Sequence, residues 1–200
     1  MRYTGPKNKL ARKIGEDLGL KSNPQKVAKR IGLRPGMHGK KMKRKMSDFG
    51  KQLLEKQKLR FIYGVTEKQL RKHYDVATKT KGATGTVLLR LLERRLDNVI
   101  YRMKFAPTRA AARQLVNHGH VQVNGKKMSI ASYLVQIEDV ITIKGKGSKI
   151  PAIAESIKNA SGGAVWIAVK ASVGKISRFP ERDEIDGSVD EQLIVEFYSR

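Results

Sequence analysis

The spacing of apolar residues changes about halfway along the chain. Between 88 and 103 they recur every three or four positions, which predicts a helix that starts near Thr84 and is either continuous or broken once. Farther on they alternate. VQVNG at 121–125 combines two alternating valines with an Asn-Gly turn, and VITIK at 140–144 follows as a second alternating run. The front is therefore predicted to be helical and the middle to contain short strands.

Capping signals locate the other helices of the front half. A short helix is predicted within 22–32, where Pro24 suits the first helical position. Ser47 begins a longer helix, and Thr66 with Gln69 forms a capping box for the next one. The intervening stretch, LRPGMHGKKMKRK, has no helical repeat and is predicted to be an exposed basic loop.

These elements predict an α+β protein with more than one core, which 200 residues are enough to build. A small helix opens at Pro151, and the strand candidates after it are 164–169, 174–179 and 192–198. We expect the C-terminal strands to return to the helical part. The predicted division is a basic N-terminal extension at 1–45, a helical domain at 46–93 joined by 161–200, and an inserted α/β module at 94–160, with helices on a short sheet.

The charge of the chain indicates what it binds. There are 42 Lys and Arg against 18 Asp and Glu, a net charge of +24, and such an excess favours a polyanion as partner. Residues 1–60 hold 19 of the basic residues and only four acidic ones. The stretch 181–196 is acidic instead, so we expect it to face away from the polyanion or toward a basic neighbour.

Composition excludes several other classes of protein. With no cysteine, neither disulfides nor thiolate zinc sites can form. The longest strongly apolar run, 164–169, is far short of the roughly 20 residues of a membrane span, and the start lacks the apolar core of a secretory signal. The histidines at 118 and 120 are too few to hold a metal. We therefore expect no membrane association and no metal.

The helix predicted from 109 to 117 has one apolar face and one face rich in hydrogen-bond donors. Arg109, Arg113 and Gln114 lie on the second face, and Thr108 caps the start, where the helix dipole favours an anion. The turn that follows should bring the lysines at 126–127 back to the helix end. A solvated surface helix has the same pattern. The strongly basic composition favours phosphate binding over that interpretation.

Several segments resemble one family, in the family's order. FAPTRAAARQLVNHGHVQVNGKKMSIASYLV, residues 105–135, resembles the RNA-binding module of the bacterial-type ribosomal protein S4 family of the small (30S) subunit. Other segments that look like parts of this family are RYTGPKNKLARKIGEDL, RPGMHGKK, MSDFGKQLLEKQKLRFIYGV, RLDNVIYRM and LIVEFYS, so the resemblance covers nearly the whole chain. Met37 departs from the usual Gln, Lys104 stands where Gly is common, and the cysteine cluster with which some members bind zinc is absent.

The resemblance implies a structural, non-enzymatic component of the small ribosomal subunit. Its expected partner is the 5′ domain of the small-subunit rRNA, which such proteins bind early and without other proteins, so that they nucleate assembly. The family also implies contact with mRNA where it enters the subunit, through the loop 40–45, a contribution to decoding accuracy, and a neighbouring ribosomal protein, S5. We expect no cofactor and no homo-oligomer, and a location in the ribosome of the cytoplasm or of an organelle.

The residues expected to bind RNA carry cations or hydrogen-bonding groups on the front segment, the helix that starts at Ser47, and the module. None of them is predicted to be catalytic. They are Arg12, Lys13, Arg34, His38, Lys40, Lys41, Lys43, Arg44, Lys45, Lys51, Lys56, Lys58, Arg60, Arg109, Arg113, Gln114, His118, Asn124, Lys126 and Lys127.

One alternative function comes from the triplet Arg-Leu-Asp at 95–97. A similar triplet surrounds the catalytic Asp of pseudouridine synthases, RNA-modifying enzymes that often carry an S4-type module. In those enzymes a large catalytic domain follows the module, whereas here Asp97 precedes the module and only 40 residues remain after 160. Pairing of Asp97 with a nearby arginine is the simpler interpretation, and an Asp97-dependent modified uridine in rRNA incubated with the protein would favour the enzyme instead.

Overall fold

A computed structural model describes residues 3–39, 45–158, 163–185 and 188–200. The chain divides into two compact units, one formed by residues 1–85 with 187–200 and the other by residues 86–186. The boundaries predicted at 93/94 and 160/161 both fall within the second unit. Within the described ranges, no helix has the length and apolar character needed to cross a membrane.

The first unit is helical, and its helices begin where the sequence signals them. Asn23, Ser47 and Thr66 each accept a hydrogen bond from the backbone at a helix start, and Thr66 with Gln69 forms the predicted capping box. The helices are α1 (Lys7–Ile14), α2 (Pro24–Ala28), α3 (Asp48–Tyr63), α4 (Glu67–Lys79) and, from the end of the chain, α10 (Glu191–Tyr198).

The end of the chain packs on α3 as a helix, so the strand predicted at 192–198 is wrong. Asp190 accepts hydrogen bonds from two backbone N–H groups and caps α10. Ile194 is fully buried, and the Phe197 ring lies 5.7 Å from that of Phe49 on α3. The segment is a short apolar stretch interrupted by Glu196, whose period does not distinguish a strand from a buried helix.

The second unit packs helices against one antiparallel sheet, which confirms the α+β class. Its core joins the buried faces of α6 and α7 to side chains of the sheet, with Phe105, Trp166 and Ile141 among the buried residues. The elements are α5 (Thr84–Glu93), α6 (Leu96–Arg102), α7 (Arg109–Asn117), β1 (Val121–Val123), β2 (Lys126–Met128), β3 (Val140–Ile143), α8 (Gly145–Ser148), α9 (Pro151–Lys158), β4 (Ile167–Lys170), β5 (Val173–Ile176) and a short 3₁₀ turn (Arg182–Glu184).

The sheet contains the C-terminal strands, contrary to the expectation that they return to the helical part. Its strand order is β2-β1-β3-β5-β4, with Ile141 of β3 opposite Gly174 of β5. A side chain at Gly174 would place its Cβ 2.6 Å from Cε of Met103, so the glycine lets the core helix approach the sheet. The predicted hairpin is confirmed, since Asn124 and Gly125 both adopt positive φ between β1 and β2.

The long helix predicted from Thr84 is broken once. The backbone between α5 and α6 pairs with the segment that follows β2, through a bridge between Arg95 and Leu134 and a 2.8 Å hydrogen bond from the Leu96 N–H to the Tyr133 carbonyl. These bonds satisfy backbone groups that a continuous helix would have paired internally. The break therefore fixes where the loop 129–135 lies.

The end of α6 explains why glycine is common at position 104 in the family that this chain resembles. Lys104 has φ 59°, in the left-handed region, and its N–H bonds to the Tyr101 carbonyl while the Phe105 N–H bonds to the Ile100 carbonyl. This is a Schellman motif, whose left-handed residue is usually glycine. Lysine at this position bears the steric cost of a Cβ in that conformation.

We expect Lys104→Gly to stabilise the second unit by up to about 1 kcal/mol, because relief of the left-handed strain exceeds the added flexibility of the unfolded chain. Urea unfolding at constant pH would measure the change. Lys104→Ala is the matched control, since it removes the charge and keeps the Cβ. Equal stability of the two variants would contradict the strain argument.

Candidate nucleic-acid interface

A cluster of buried charges lies at the break between α5 and α6. Glu93, Arg95, Asp97 and Asn98 are all nearly inaccessible, with relative exposures between 0% and 4%. Arg95 donates two hydrogen bonds to the Asp97 carboxylate, at 3.1 and 3.0 Å. Arg102 does the same to Glu93, at 2.8 and 2.7 Å. Both pairs have the bidentate geometry that makes buried ion pairs tolerable.

This cluster holds the arginine pair that the sequence indicated for phosphate binding. Arg113 donates to Asp97 at 3.0 Å, and Arg109 donates through Nε to the Asn98 side-chain oxygen at 2.7 Å while its guanidinium lies 4.4 Å from the Tyr101 ring. Both arginines are partly exposed. Their role in fixing α7 on α6 is visible in the structure, and their contact with phosphate stays a prediction.

The other end of α7 presents fully exposed donors. Gln114, His118, Lys126 and Lys127 are all exposed, and the Lys127 stem lies across Gly119, where an added Cβ would be 2.2 Å from its Cε. Gly119 also has φ +70°, so a larger residue would be disfavoured on both counts. The prediction that the turn brings the lysines back to the helix end is thereby confirmed for Lys127.

Asn124 has a structural role beside the predicted RNA contact. Its side-chain N–H donates to Asp139 at 2.7 Å, and its side-chain oxygen accepts the N–H of Val140 at 2.8 Å. Both ends of the amide thus help to fix the hairpin to β3. The residue is exposed, and its contact with RNA stays a prediction.

A basic segment that was not predicted from the sequence lies beside the histidines. The backbone N–H of Lys144 bonds to the His120 carbonyl at 2.8 Å, and Gly147 packs closely against the His120 side chain. Lys144 and Lys149 are exposed there. The signal was present in the letters KGKGSK at 144–149, where lysines alternate with small residues.

In the first unit, three of the predicted cations line one cavity. Lys13, Arg34 and Arg60 surround a cavity of about 610 Å³. Arg12 does not reach it, because its guanidinium donates to the carbonyls of Leu33 and Arg34 at 2.8 and 3.0 Å. Arg12 therefore fixes the chain that carries Arg34 against α1.

The remaining predicted residues of the first unit fall into two groups. His38, Lys45 and Lys51 are exposed, with Lys51 paired to Asp48 at 2.8 Å. The other group lies outside the described residues and consists of Lys40, Lys41, Lys43 and Arg44.

Lys56 and Lys58 are corrections to the predicted interface, because both are buried. Lys56 is 6% exposed and bonds to Glu67 at 2.9 Å, with its ammonium 4.4 Å from the Phe197 ring. Lys58 is 2% exposed, bonds to Glu16 at 2.7 Å and also donates to the backbone at Ser188. A buried, neutralised lysine cannot reach a phosphate.

Each unit presents cations, and the second unit adds exposed hydrogen-bond donors beside a capped helix and a tight hairpin. This combination of basic charge, α+β module and exposed donors defines a nucleic-acid-binding protein. No group of three His, Asp or Glu side chains in the described part of the chain is arranged to hold a metal.

Comparison with known proteins identifies the family. Residues 2–93 match the family described as Ribosomal protein S4/S9 N-terminal domain, and residues 94–141 match the S4 domain. The chain is 50% identical over 209 residues to the small ribosomal subunit protein uS4 of Herpetosiphon aurantiacus, which covers 100% of this chain and 99% of that protein. The uS4 proteins of Brevibacillus brevis and Delftia acidovorans are 48% and 46% identical with the same coverage. The chain belongs to the uS4 family.

The alternative of a pseudouridine synthase finds no support. The relatives that match over the whole chain are ribosomal proteins. In the structure, Asp97 is buried and its carboxylate is held by Arg95 and Arg113. Pairing of Asp97 with a nearby arginine, the simpler interpretation of the sequence, is confirmed.

We expect Asp97→Asn to destabilise the second unit by about 3 to 5 kcal/mol, the usual result of removing one partner from a buried ion pair. The substitution leaves the Arg95 guanidinium buried without its counter-charge. Urea unfolding followed by circular dichroism would measure the loss. Asp183→Asn, at an exposed carboxylate of the same unit, is the matched control and should change stability by less than about 0.5 kcal/mol. Similar values for both variants would contradict a structural role for the cluster.

The ion pair at Lys56 should make the first unit sensitive to acid. Burial would raise the pKa of Glu67, but hydrogen bonds from Lys56 and Tyr198 outweigh it, so the pKa lies below the ordinary value of 4.5. A lowered carboxyl pKa favours folding at pH above 4.5, and that contribution is lost as the pH falls through the folded-state pKa.

Glu67→Gln should therefore be less stable than the parent protein at pH 7, with a difference that shrinks as the pH falls below 4.5. Urea unfolding at several pH values between 7 and the acid limit of folding would test this. Gln69 is unsuitable as a control because its side chain completes the capping box of α4, whereas Asp75→Asn alters an exposed carboxylate on the same helix. A stability difference independent of pH would contradict the assignment.

Proposed function

We propose that this protein is a structural component of the small ribosomal subunit that binds the 5′ domain of its rRNA and nucleates assembly there. The observation that carries the proposal is identity of 46–50% to uS4 proteins along the whole chain. The exposed donors of the second unit and the cationic cavity of the first supply surfaces of the required charge.

The mechanism that fits these surfaces is recognition of RNA shape and phosphate. Lys126 and Lys127 neutralise phosphates and release counterions, a contribution that weakens with salt. Gln114 and His118 supply directional hydrogen bonds to phosphate, sugar or base edges. Arg113, held in place by Asp97, adds a cation whose position is fixed before RNA arrives.

The first unit contributes a second set of contacts. Lys13, Arg34 and Arg60 are gathered around one cavity, and His38, Lys45 and Lys51 are exposed. We assign the phosphate contacts of this unit to these cations in place of the buried Lys56 and Lys58.

Finer partners follow from the family resemblance. We propose that the basic loop 40–45 lies near mRNA where it enters the subunit and there influences decoding accuracy, and that ribosomal protein S5 is a neighbour. The acidic stretch 181–196 suits a basic protein surface better than RNA. The matched relatives come from bacteria, so we place this protein in the ribosome of a bacterial cytoplasm and drop the organelle alternative.

The proposal predicts that the protein alone binds an isolated 5′ domain of small-subunit rRNA, and that Lys126→Ala with Lys127→Ala weakens this binding. Since each lost phosphate contact lowers the slope of log K against log salt by roughly 0.7 to 0.9, the double variant should show a shallower slope. Filter binding over a series of salt concentrations measures both quantities.

The matched control is Lys170→Ala with Lys175→Ala. These two exposed lysines lie on β4 and β5, at the edge of the sheet opposite β2. It removes the same charge, so a loss that depends only on net charge would appear equally in both variants. Equal slopes would contradict the assignment of the β2 lysines, and absence of binding by the parent protein would overturn the proposed function.

A further inference from the structure

The cavity of the first unit has an apolar floor and a cationic rim. One face of α3 provides Leu53, Leu54 and Phe61, and α1 provides Ile14. These side chains are only partly buried, although they are apolar and neighbours on one helix face. Apolar surface left half-exposed in a concave site is a usual sign of a ligand or partner.

The side chain of Met46 completes one wall. An added Cβ at Gly50 would lie 2.8 Å from Cγ of Met46, so the absence of a side chain at Gly50 lets Met46 lie against the helix. Methionine adapts its shape to irregular ligands. The volume of about 610 Å³ falls in the range of about 300 to 1,000 Å³ that is common for small-molecule sites.

The charges at the rim define the chemistry of the occupant. Lys13, Arg34 and Arg60 line the cavity, and among the described residues no carboxylate does. Lys13 and Arg34 form no ion pair with any acidic residue in the described ranges, whereas Arg60 lies 3.7 Å from Glu67. The occupant should therefore combine a negative group with a flat or apolar body.

We propose that this cavity holds one unstacked nucleotide of the bound RNA, with its base on the apolar floor and its phosphate at Lys13 and Arg34. The proposal rests on the proposed function, which supplies RNA as the polyanion. A nucleotide meets both demands in one group, because every base has an apolar face and every linkage a negative charge. Arg60, whose guanidinium lies 4.8 Å from the Phe61 ring, adds a planar surface of the kind on which bases stack.

An acidic peptide is the competing occupant, and the charge around the cavity favours RNA over it. All the residues that line the cavity except Phe61 belong to the segment 1–60, where basic residues outnumber acidic ones 19 to four. RNA carries a phosphate at every nucleotide, so the surrounding basic residues also contribute to its binding. An acidic peptide is attracted only through its few carboxylates.

The test is to substitute tryptophan for an uncharged residue that lines the cavity, which fills the cavity and leaves its charge unchanged. Gln57→Trp and Leu54→Trp both place an indole in the cavity, and Gln57→Trp does so without removing an apolar side chain. Val76→Trp, at an exposed position on α4 of the same unit, is the matched control. Circular dichroism and urea unfolding first establish that each variant is folded.

We expect both cavity variants to bind the 5′ domain of the rRNA about 5- to 150-fold more weakly, the usual effect of losing one stacked base. Their salt slope should stay unchanged because no phosphate contact is removed. Lys13→Ala with Arg34→Ala should lower the slope by roughly 0.7 to 0.9 per lost contact. Ultraviolet cross-linking of the parent complex, followed by mass spectrometry, should place a nucleotide on Phe61 or Met46.

The outcomes separate this proposal from the proposed function. If the parent protein binds RNA and the folded cavity variants bind it equally well, the cavity proposal is overturned and RNA binding stands. If those variants bind RNA normally but no longer join the small subunit, the occupant is a protein, which also overturns it. If the parent protein does not bind the rRNA at all, the proposed function fails and the cavity proposal fails with it.

Discussion

The buried ion cluster at the break between α5 and α6 is the constraint on which the second unit depends. Glu93 and Asp97 are removed from water, and each costs several kcal/mol unless a cation and further hydrogen bonds surround it. Those partners come from different parts of the chain: Arg102 follows on α6, and Arg113 comes from α7. Satisfying two carboxylates therefore fixes the angle at which α7 meets α6, and with it the donor face of α7. The backbone at the break, at Arg94 and Leu96, forms hydrogen bonds with 133–135. These bonds fix the loop after the hairpin.

The positive charge of the chain consequently has two uses, which net charge alone does not distinguish. Lys56 and Lys58 are inside, each bound to a carboxylate, and they tie α3 to its neighbours. Lys126 and Lys127 are outside and bound to nothing acidic in the described ranges, so they are available to a polyanion. Removing a buried lysine would damage the fold, whereas removing an exposed one would change only binding. A mutational map of RNA binding has to separate these two classes before any loss of affinity is assigned to the interface.

Local signals predicted much of the fold, and contacts remote in sequence decided the rest. Caps such as Ser47 and Thr66 depend on neighbours within three residues, and so does the Asn-Gly turn, and all of them are where the sequence indicated. The burial of Lys58 depends on Glu16 and on the backbone at Ser188, more than 40 and 100 residues away, which no local pattern reveals. The helix at the chain end was missed for a similar reason. Its apolar residues fit a strand or a buried helix, and packing of Phe197 against Phe49 on α3, with the Gln52–Glu196 hydrogen bond beside it, selects the helix. In the candidate interface, the sequence shows which residues carry cations and hydrogen-bond donors, but only tertiary contacts show that Asn124 also bonds within its own hairpin.

The arginines and lysines of the proposed interface differ in how much freedom they lose when RNA binds. The Arg113 side chain is already held by Asp97, so little of its side-chain entropy remains to be lost, and Arg34 lies on backbone held by Arg12, so little loop entropy remains at that position. Lys126 and Lys127 have no such anchor, and their long side chains lose more freedom for each contact. Their attraction acts over about a Debye length, however, and raises the rate of encounter before any contact forms. For the proposed RNA contacts, the physical consequence is a division of work: unanchored lysines bring the polyanion close, and anchored arginines determine the register in which it is finally held.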